Sequence, residues 1–299
     1  VLPRPDMVIW SSQICDNTAK SGNDLARLFD VPGYLIDHPY RPTPKEIEYH
    51  LQDLEGLIQF LEEHSGHKLN YDRLCEAVQY SKQVMETWKE INELKKAAPF
   101  PSRSIDCFLN LMVYFLLAGS KEAVTYFEQS KTEIQALVAA GKGCLPSTER
   151  YRLMLLWTVP SFALDILDWI EKEYGAVIVM DPFSSWSAGG EMDLSKPLES
   201  IAHRSFFTPG AHQQEGPMIE GIRDVVKNAQ AYRVDGVINF AHLGCRQSCA
   251  IVRSLTDALK EEVGIPTVTL DCDFYDPTSV TLDEIKEKLE GFFEILEGK

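Results

Sequence analysis

Two cysteines of this 299-residue chain follow short apolar runs that are typical of buried strands. Cys15 comes after Met7–Trp10, and Cys245 comes after Val234–Phe240. In open α/β sheets, ligands bind outside the carboxyl ends of the strands, so both thiols are predicted to lie where a bound group is held. A helical pattern begins near each cysteine, and the N-terminus of a helix stabilises a thiolate.

Thiolates in this setting are soft ligands that suit an iron–sulfur cluster or zinc. Cys249 is a candidate additional ligand, Gly244 permits close approach of the backbone to a bound group, and Arg246 adds positive charge. The spacing of His242, Cys245 and Cys249 also resembles part of a zinc site, a pattern of low specificity. From the residues alone, the alternative that these cysteines are ordinary small apolar residues stays open.

The other cysteines are weaker candidates as ligands. Cys75 and Cys107 stand among apolar neighbours in helical patterns and are expected in the core. Cys144 lies in a glycine-rich linker, and Cys272 stands between two aspartates, whose charges disfavour a thiolate.

A few polar and aromatic side chains at predicted strand ends could contact a substrate. Ser11 follows the first predicted strand, and Ser184 and Trp186 stand in a polar connection after a later one. For Ser184 and Trp186, an ordinary surface loop is an equally good interpretation. His38 and His203 are isolated in the sequence and are expected to be structural or exposed.

The absence of common catalytic and nucleotide-binding motifs and the net negative charge argue against several classes of function for this chain. The chain has no G-x-x-x-x-G-K-[ST] loop, no G-x-G-x-x-G, no H-E-x-x-H and no G-x-S-x-G, so cofactor-free nucleophilic catalysis is unsupported. Asp and Glu number 45 against 29 Lys and Arg, which gives a net charge of −16. Such a chain would be repelled by phosphate backbones and anionic lipids. Nucleic acid and membrane surfaces are therefore not expected as partners, and a cytoplasmic location is expected.

The hydrophobic pattern divides the chain into three regions. Residues 1–43 are expected to be the C-terminal part of a first α/β domain that begins inside a β-α-β unit, with further residues upstream. Residues 44–146 are predicted to form a helical region in which Ile105–Leu117, apolar nearly all round, is a central buried helix. Residues 147–299 are predicted to form a second α/β domain.

In this last region strands and helices alternate, which specifies a parallel sheet covered by helices on both faces. The predicted strands are Arg152–Trp157, Ala176–Met180, Val234–Phe240 and Thr267–Leu270. The predicted helices are Phe162–Glu173, Met218–Ala231, Ala250–Glu262 and Glu284–Leu296. The fold class is therefore α/β, with two doubly wound parallel-sheet domains of Rossmann or flavodoxin type and a helical region between them.

Four stretches together resemble the 2-hydroxyacyl-CoA dehydratase family, which includes the ATP-dependent benzoyl-CoA reductases. The stretches are Leu2-Pro3-Arg4-Pro5-Asp6 through Ser11-Ser12-Gln13-Ile14-Cys15-Asp16, then Asp37-His38-Pro39-Tyr40, then Ala231–Ile238 leading into Gly244-Cys245-Arg246, and finally Gly264-Ile265-Pro266-Thr267 with Leu270-Asp271-Cys272-Asp273. The resemblance covers essentially the whole chain.

This resemblance implies one subunit of an oxygen-sensitive enzyme that dehydrates an (R)-2-hydroxyacyl-CoA to an enoyl-CoA. In the family, a separate ATP-dependent iron–sulfur activator supplies one electron. The substrate thioester then becomes a ketyl radical anion, which expels the α-hydroxyl and makes the β-proton acidic. The implied partners are the activator, a related second subunit or a second copy, and the acyl-CoA.

The resemblance also implies that Cys15 and Cys245 ligate the iron of a 4Fe–4S cluster. Family subunits use three cysteines, the first of which precedes the equivalent of Cys15, whereas none of the 14 residues before Cys15 is cysteine. The third ligand is therefore expected upstream, with Cys249 and Cys144 as the alternatives. His242 and Arg246 are candidates for contact with the cluster or its ligands.

Three rival functions stay open. Reduction of an aromatic acyl-CoA ring of the benzoyl-CoA type belongs to the same family. A non-catalytic electron-transfer subunit and a metal-free binding protein built on two α/β lobes belong to different classes.

Overall fold

The computed structural model describes residues 3–13, 16–145, 147–182, 192–207 and 217–298. Its N-terminal part is a β-α-β unit made of β1 (Val8–Ser11), α1 (Asp16–Phe29) and β2 (Gly33–Ile36). The two strands pair in parallel from Val8 opposite Gly33 to Ser11 opposite Ile36. The sequence pattern predicts strands at Met7–Trp10 and Gly33–Asp37 and a helix at Asn17–Phe29, each within one residue of the observed bounds.

Four helices follow, as the periodicity predicts: α2 (Pro44–Ser65), α3 (Tyr71–Leu94), α4 (Ile105–Leu117) and α5 (Lys121–Ala139). Side-chain caps begin three of them, because Thr43, Asn70 and Ser120 each accept a hydrogen bond from a backbone N–H of the first turn. Apolar side chains of α3, α4 and α5 form one buried cluster around Trp88.

The prediction that α4 is buried on all sides is wrong. Cys107, Leu111 and Tyr114 are buried, but Leu109 and Leu116 are 44% and 76% exposed. Cys107 packs in the core of the C-terminal sheet, whereas Leu111 and Tyr114 pack in the helical cluster around Trp88. One face of the helix therefore joins the two cores, while apolar side chains on the rest of it remain exposed.

The C-terminal part contains a four-stranded parallel sheet with the strand order β4-β3-β5-β6. The strands are β3 (Tyr151–Leu156), β4 (Ala176–Met180), β5 (Gly236–His242) and β6 (Thr267–Cys272). Strand β3 pairs with β5 only as far as Leu156 opposite Asn239. Strand β5 continues to pair with β6 as far as His242 opposite Cys272.

Helices cover both faces of this sheet. They are α6 (Asp165–Tyr174), α8 (Met218–Ala231), α9 (Arg246–Ala258) and α10 (Leu282–Leu296), and a π-helical turn at Leu259–Val263 extends α9. Helix α7 (Pro197–Phe207) packs instead against α2 and α3. Buried side chains of α6 and α10 pack in one core cluster, and those of α8 and α9 pack in another. The parallel sheet with helices on both faces, predicted for this region, is confirmed.

Several features of the C-terminal region differ from the prediction. Strand β5 lies at Gly236–His242 rather than at Val234–Phe240, and α6 begins at Asp165 rather than at Phe162. Helix α7 was missed, because its sequence was assigned to the polar connection that begins at Asp181. Helix α9 begins at Arg246 rather than at Ala250, since Cys245 caps its first turn. Strand β6 continues past Leu270 to Cys272, because its last two residues pair with Ala241 and His242.

In the part of the chain that the structure describes, no helix is both long enough and apolar enough to span a membrane.

Candidate functional site

The strand order of the C-terminal sheet contains a topological switch point between β3 and β5. From β3 the chain runs to β4 on one side, and it then returns to place β5 on the other side. Ligands of open α/β sheets bind in the crevice that such a switch opens at the carboxyl ends of the strands. Cys245 comes three residues after the end of β5 and therefore lies at this edge of the sheet.

Cys245 is the N-cap residue of α9. Its Sγ atom accepts a hydrogen bond from the backbone N–H of Ser248 at 3.4 Å, and its thiol donates to Oε1 of Gln247 at 3.8 Å. Its own N–H donates to the carbonyl oxygen of His242 at 2.9 Å, which closes a tight turn. The residue is half-buried. The sulfur thus lies at a helix N-terminus, accepts one backbone N–H and is open to a ligand.

Cys249 and Arg246 lie in the first turn of the same helix. The thiol of Cys249 is exposed and donates to the carbonyl oxygen of His242 at 3.3 Å. Partial burial is the largest cause that raises the pKa of Cys249, followed by the charges of Cys245 and Asp271. Arg246 is the first residue of the helix and is exposed. The two cysteines thus share one turn, and the surroundings of Cys249 disfavour its ionisation.

The ring of His242 packs against the end of β6. It stacks on the ring of Phe274 with centroids 4.6 Å apart and an interplanar angle of 16°. Its Nδ1 atom lies 4.0 Å from Oδ2 of Asp273. Backbone N–H bonds from Tyr275 and Asp276 lower the pKa of the Asp273 carboxyl group, so it is ionised at neutral pH. The segment after β6 thus provides an aromatic face and a negative charge beside the Cys245 turn.

The remaining predicted site residues do not join this group within the described residues. Cys15, Ser184 and Trp186 lie outside the described residues. Ser11 ends β1, and its hydroxyl accepts a hydrogen bond from the N–H of Gln13 at 2.9 Å. The meeting of Cys15 with Cys245 stays a prediction.

A second polar cluster lies at the carboxyl ends of β1 and β2. The hydroxyl of Ser12 donates to Oδ1 of Asp37 at 2.9 Å and accepts from the N–H of His38 at 2.8 Å. The Nε2 atom of His38 lies 3.0 Å from the hydroxyl oxygen of Ser205 on α7. Because that hydroxyl donates to the carbonyl of Ala202, it accepts from His38. The imidazole of His38 therefore links the N-terminal sheet to α7.

Two histidine rings in this cluster are held in their neutral form. His38 lies 4.3 Å from the ring of Phe206 and 4.8 Å from that of His50, measured between centroids. Burial, and then the nearby His50, lower the pKa of His38 to about 4. Burial also lowers the pKa of His50, whose Nδ1 atom lies 3.1 Å from the carbonyl oxygen of Asp37. This is the structural role expected for His38, although the residue is not isolated.

The other cysteines are poor ligands. Cys107 and Cys272 are buried in the core. Burial raises the pKa of Cys107, whose thiol donates to the carbonyl of Ser104 at 2.9 Å. Burial, with the charges of its two aspartate neighbours, raises the pKa of Cys272 to about 11. Burial also raises the pKa of Cys144, and Cys75 is half-buried. The raised pKa values of Cys107, Cys144 and Cys272 disfavour the thiolate form that binds a metal.

Cys245 fits the requirements of a metal–sulfur ligand, but it does not make a complete site. Within the described ranges, no three His, Cys, Asp or Glu side chains form a group that could hold a metal ion. The described residues thus provide one well-placed thiol, and a cluster ligand set has to include Cys15 or other residues outside them.

Sequence reasoning missed two contributors to this site. Ser248 donates its N–H to the sulfur of Cys245 and accepts the N–H of His242 on its hydroxyl at 3.3 Å. Phe274 stacks on His242. The sequence contains a signal for Ser248, because it stands three residues after the N-cap residue, where the backbone N–H usually donates to the cap side chain. None pointed to Phe274, because β6 was predicted to end at Leu270.

Comparison with known proteins gives one family for the whole chain. The family model described as 2-hydroxyglutaryl-CoA dehydratase, D-component, matches residues 2–296. Among curated relatives, the chain is 22% identical over 306 residues to the (R)-phenyllactyl-CoA dehydratase alpha subunit of Clostridium sporogenes, covering 100% of the chain and 72% of the relative. It is 24% identical over 309 residues to the alpha subunit of the (R)-2-hydroxyglutaryl-CoA dehydratase of Acidaminococcus fermentans.

That second match covers 99% of the chain and 61% of the relative. A third relative, which is part of the benzoyl-CoA reductase of Thauera aromatica, is 23% identical over 321 residues, which covers 100% of the chain and 72% of that relative. The chain thus spans between about three fifths and three quarters of the length of these relatives.

Proposed function

Because the chain belongs to the 2-hydroxyglutaryl-CoA dehydratase D-component family, we propose that it is one subunit of an enzyme that dehydrates a 2-hydroxyacyl-CoA to an enoyl-CoA. The relatives named as dehydratase subunits support this proposal. Their description as alpha subunits favours a partner, which is a related second subunit or a second copy. The proposal includes a separate ATP-dependent activator as the source of one electron and a cytoplasmic location.

In this proposal, Cys15 and Cys245 are ligands of a 4Fe–4S cluster. When bound, such a cluster supplies one electron at low potential and Lewis acidity at an iron. The surroundings of Cys245 suit a ligand of this kind, because the Ser248 N–H and the N-terminus of α9 stabilise negative charge on the sulfur. His242 fixes the turn through its carbonyl, which accepts the N–H of Cys245.

The observation that carries the proposal is the placement of the Cys245 sulfur. In a chain of this family, it lies at the switch-point edge of the sheet, half-buried, and accepts a helix N-terminal N–H. Cys249, four residues later in the same helix, is exposed and donates its thiol hydrogen to a carbonyl. Substitution of each cysteine is therefore expected to give a different result, and the two variants serve as a matched pair.

The test is the iron and acid-labile sulfide content of the full-length protein purified without oxygen. About four irons and four sulfides per chain are expected for the wild type. Cys245→Ser is expected to abolish iron binding, whereas Cys249→Ser and the remote Cys75→Ser retain it. Full iron in Cys245→Ser contradicts the assignment of Cys245. Iron lost in Cys249→Ser but not in Cys245→Ser moves the ligand role to Cys249.

The Thauera relative supports a second candidate function, the ATP-driven reduction of an aromatic acyl-CoA ring, because its identity is similar to that of the dehydratase subunits. Incubation of the assembled enzyme and activator with each class of CoA ester separates the two. An enoyl-CoA formed without net consumption of reductant supports dehydration, and a cyclic diene formed with consumption of reductant supports ring reduction.

A further inference from the structure

The turn before Cys245 is enclosed by the side chain of His242. The imidazole stacks on Phe274 of the segment after β6. Its Nε2 atom lies 3.1 Å from the position that a Cβ on Gly244 would occupy. The ring therefore contacts both Phe274 and the turn, and a residue larger than glycine at position 244 would require the ring to shift.

The backbone of His242 anchors the same turn at three points. Its N–H donates to the hydroxyl of Ser248 at 3.3 Å. Its carbonyl oxygen accepts from the N–H of Cys245 at 2.9 Å and from the thiol of Cys249 at 3.3 Å. A displacement of the His242 ring thus acts on the carbonyl that sets the position of Cys245.

The segment after β6 is a firm support for that ring. The carboxylate of Asp273 accepts the backbone N–H groups of Tyr275 at 2.8 Å and Asp276 at 3.0 Å. Its own N–H donates to the hydroxyl of Ser279 at 2.9 Å. Strand pairing joins this segment to the turn, because the N–H of Leu243 donates to the carbonyl of Cys272 at 2.9 Å. The Phe274 ring and the Asp273 charge are therefore held in fixed places beside His242.

We propose that Phe274 and Asp273 are positioning residues of the Cys245 site, which act through the imidazole of His242. Phe274 holds the ring by stacking, and the charge of Asp273, 4.0 Å from Nδ1, favours the tautomer that carries the ring hydrogen on that nitrogen. Together they keep the Cys245 sulfur against the Ser248 N–H and partly shielded from solvent. The inference rests on the proposed function only for the identity of the group that Cys245 binds.

The experiment measures the reactivity of Cys245 in the full chain purified without oxygen and freed of any bound iron with a chelator, so that coordination does not block the sulfur. Iodoacetamide labelling is quantified by peptide mass spectrometry, and the rate at Cys245 is divided by the rate at Cys75 in the same sample. Loss of the stacked ring in Phe274→Leu is expected to raise this ratio about fivefold. Phe274→Tyr keeps a ring and is expected to restore the wild-type ratio, which separates positioning from general loosening of the core.

The charge of Asp273 has its own matched control. Asp273→Asn retains the oxygen that accepts the two backbone N–H groups and removes the charge, with an expected increase of about twofold in the ratio. Asp271→Asn removes a charge two residues earlier, within β6, and is expected to leave the ratio unchanged. Equal increases in both aspartate variants would overturn the role of Asp273.

The role of Phe274 is overturned by an unchanged ratio in folded Phe274→Leu, by a Phe274→Tyr variant that behaves like Phe274→Leu, or by equal increases at Cys245 and Cys75. If Phe274→Leu does not fold, the Phe274→Tyr and Asp273→Asn variants still test the proposal. Iron in the wild type tests the proposed function separately. A chain without iron but with the expected ratios would retain the positioning role and lose the cofactor.

Discussion

Acid is expected to destabilise this protein through His38, and the effect can be calculated. The imidazole has a pKa of about 4 in the folded chain, against an ordinary value of about 6.5. Because the folded state resists protonation, the stabilising contribution is complete above pH 6.5 and is lost as the pH falls toward 4. Linkage gives a loss of about 2 kcal/mol between pH 7.5 and pH 5.0, at which the unfolded chain is protonated and the folded chain is not.

The perturbation that isolates this effect is His38→Gln. A glutamine amide still donates a hydrogen bond to the Ser205 hydroxyl, but it does not titrate. Loss of the ring contact with Phe206 lowers the stability of this variant at both pH values, by about 1 kcal/mol. The difference in stability between the two pH values is therefore the quantity that reports on protonation.

The assay is urea unfolding followed by circular dichroism at pH 7.5 and pH 5.0, at matched ionic strength. The fall in unfolding free energy between the two pH values is expected to be about 2 kcal/mol smaller in His38→Gln than in the wild type. His67→Gln, in the exposed linker after α2, is the control and is expected to show the wild-type fall. An unchanged fall in His38→Gln would refute the argument that the folded cluster excludes the imidazolium.

Local helix chemistry makes further predictions that urea unfolding at pH 7.5 can check. Thr281→Ala removes the capping box that Thr281 forms with Glu284 at the start of α10 and is expected to cost about 1 kcal/mol. Gly291→Ala, inside α10 with open space around its Cβ position, is expected to stabilise by about 0.5–1 kcal/mol. Gly66→Ala, at φ 71° after α2 and equally open, is expected to destabilise by about 1 kcal/mol. The same sign of change in both glycine variants would contradict the conformational argument.

The sequence was most informative where one periodicity dominates a segment. Strand β4 and helix α8 were predicted with their observed bounds, Ala176–Met180 and Met218–Ala231. Strand β4 is a run of five buried apolar residues, and α8 carries an apolar stripe along its 14 residues. Each pattern is compatible with only one type of secondary structure. The carboxyl edge of the sheet, and with it the location of Cys245, followed from these elements.

The sequence was least informative where a segment takes its structure from contacts with other segments. Helix α4 is apolar on all sides, yet Leu116 is 76% exposed, because composition does not state which face meets a neighbour. Strand β6 was predicted too short, since Asp271 is a poor strand former that pairs here with Ala241 of β5.

Prediction of the contacts that hold the candidate site would have required the correct bounds of the strands. The stacking of Phe274 on His242 follows from the register that places His242 opposite Cys272, and that register is a property of two strands together. The interpretation of His38 as isolated failed for the same reason, because its partner Ser205 is 167 residues away in the chain.

Strands β3 and β5 are staggered at the switch point. Pairing of β3 with β5 stops at Asn239, whereas β5 runs on to His242 beside β6. The last three residues of β5 thus extend about 10 Å beyond the last pair with β3, which makes the β5 side of the switch point the higher wall. This step is built from backbone hydrogen bonds between β5 and β6, so loops above the lower wall can vary in size and chemistry without disturbing the wall that carries Cys245. One scaffold could in this way accept different ligands while the thiol keeps its place.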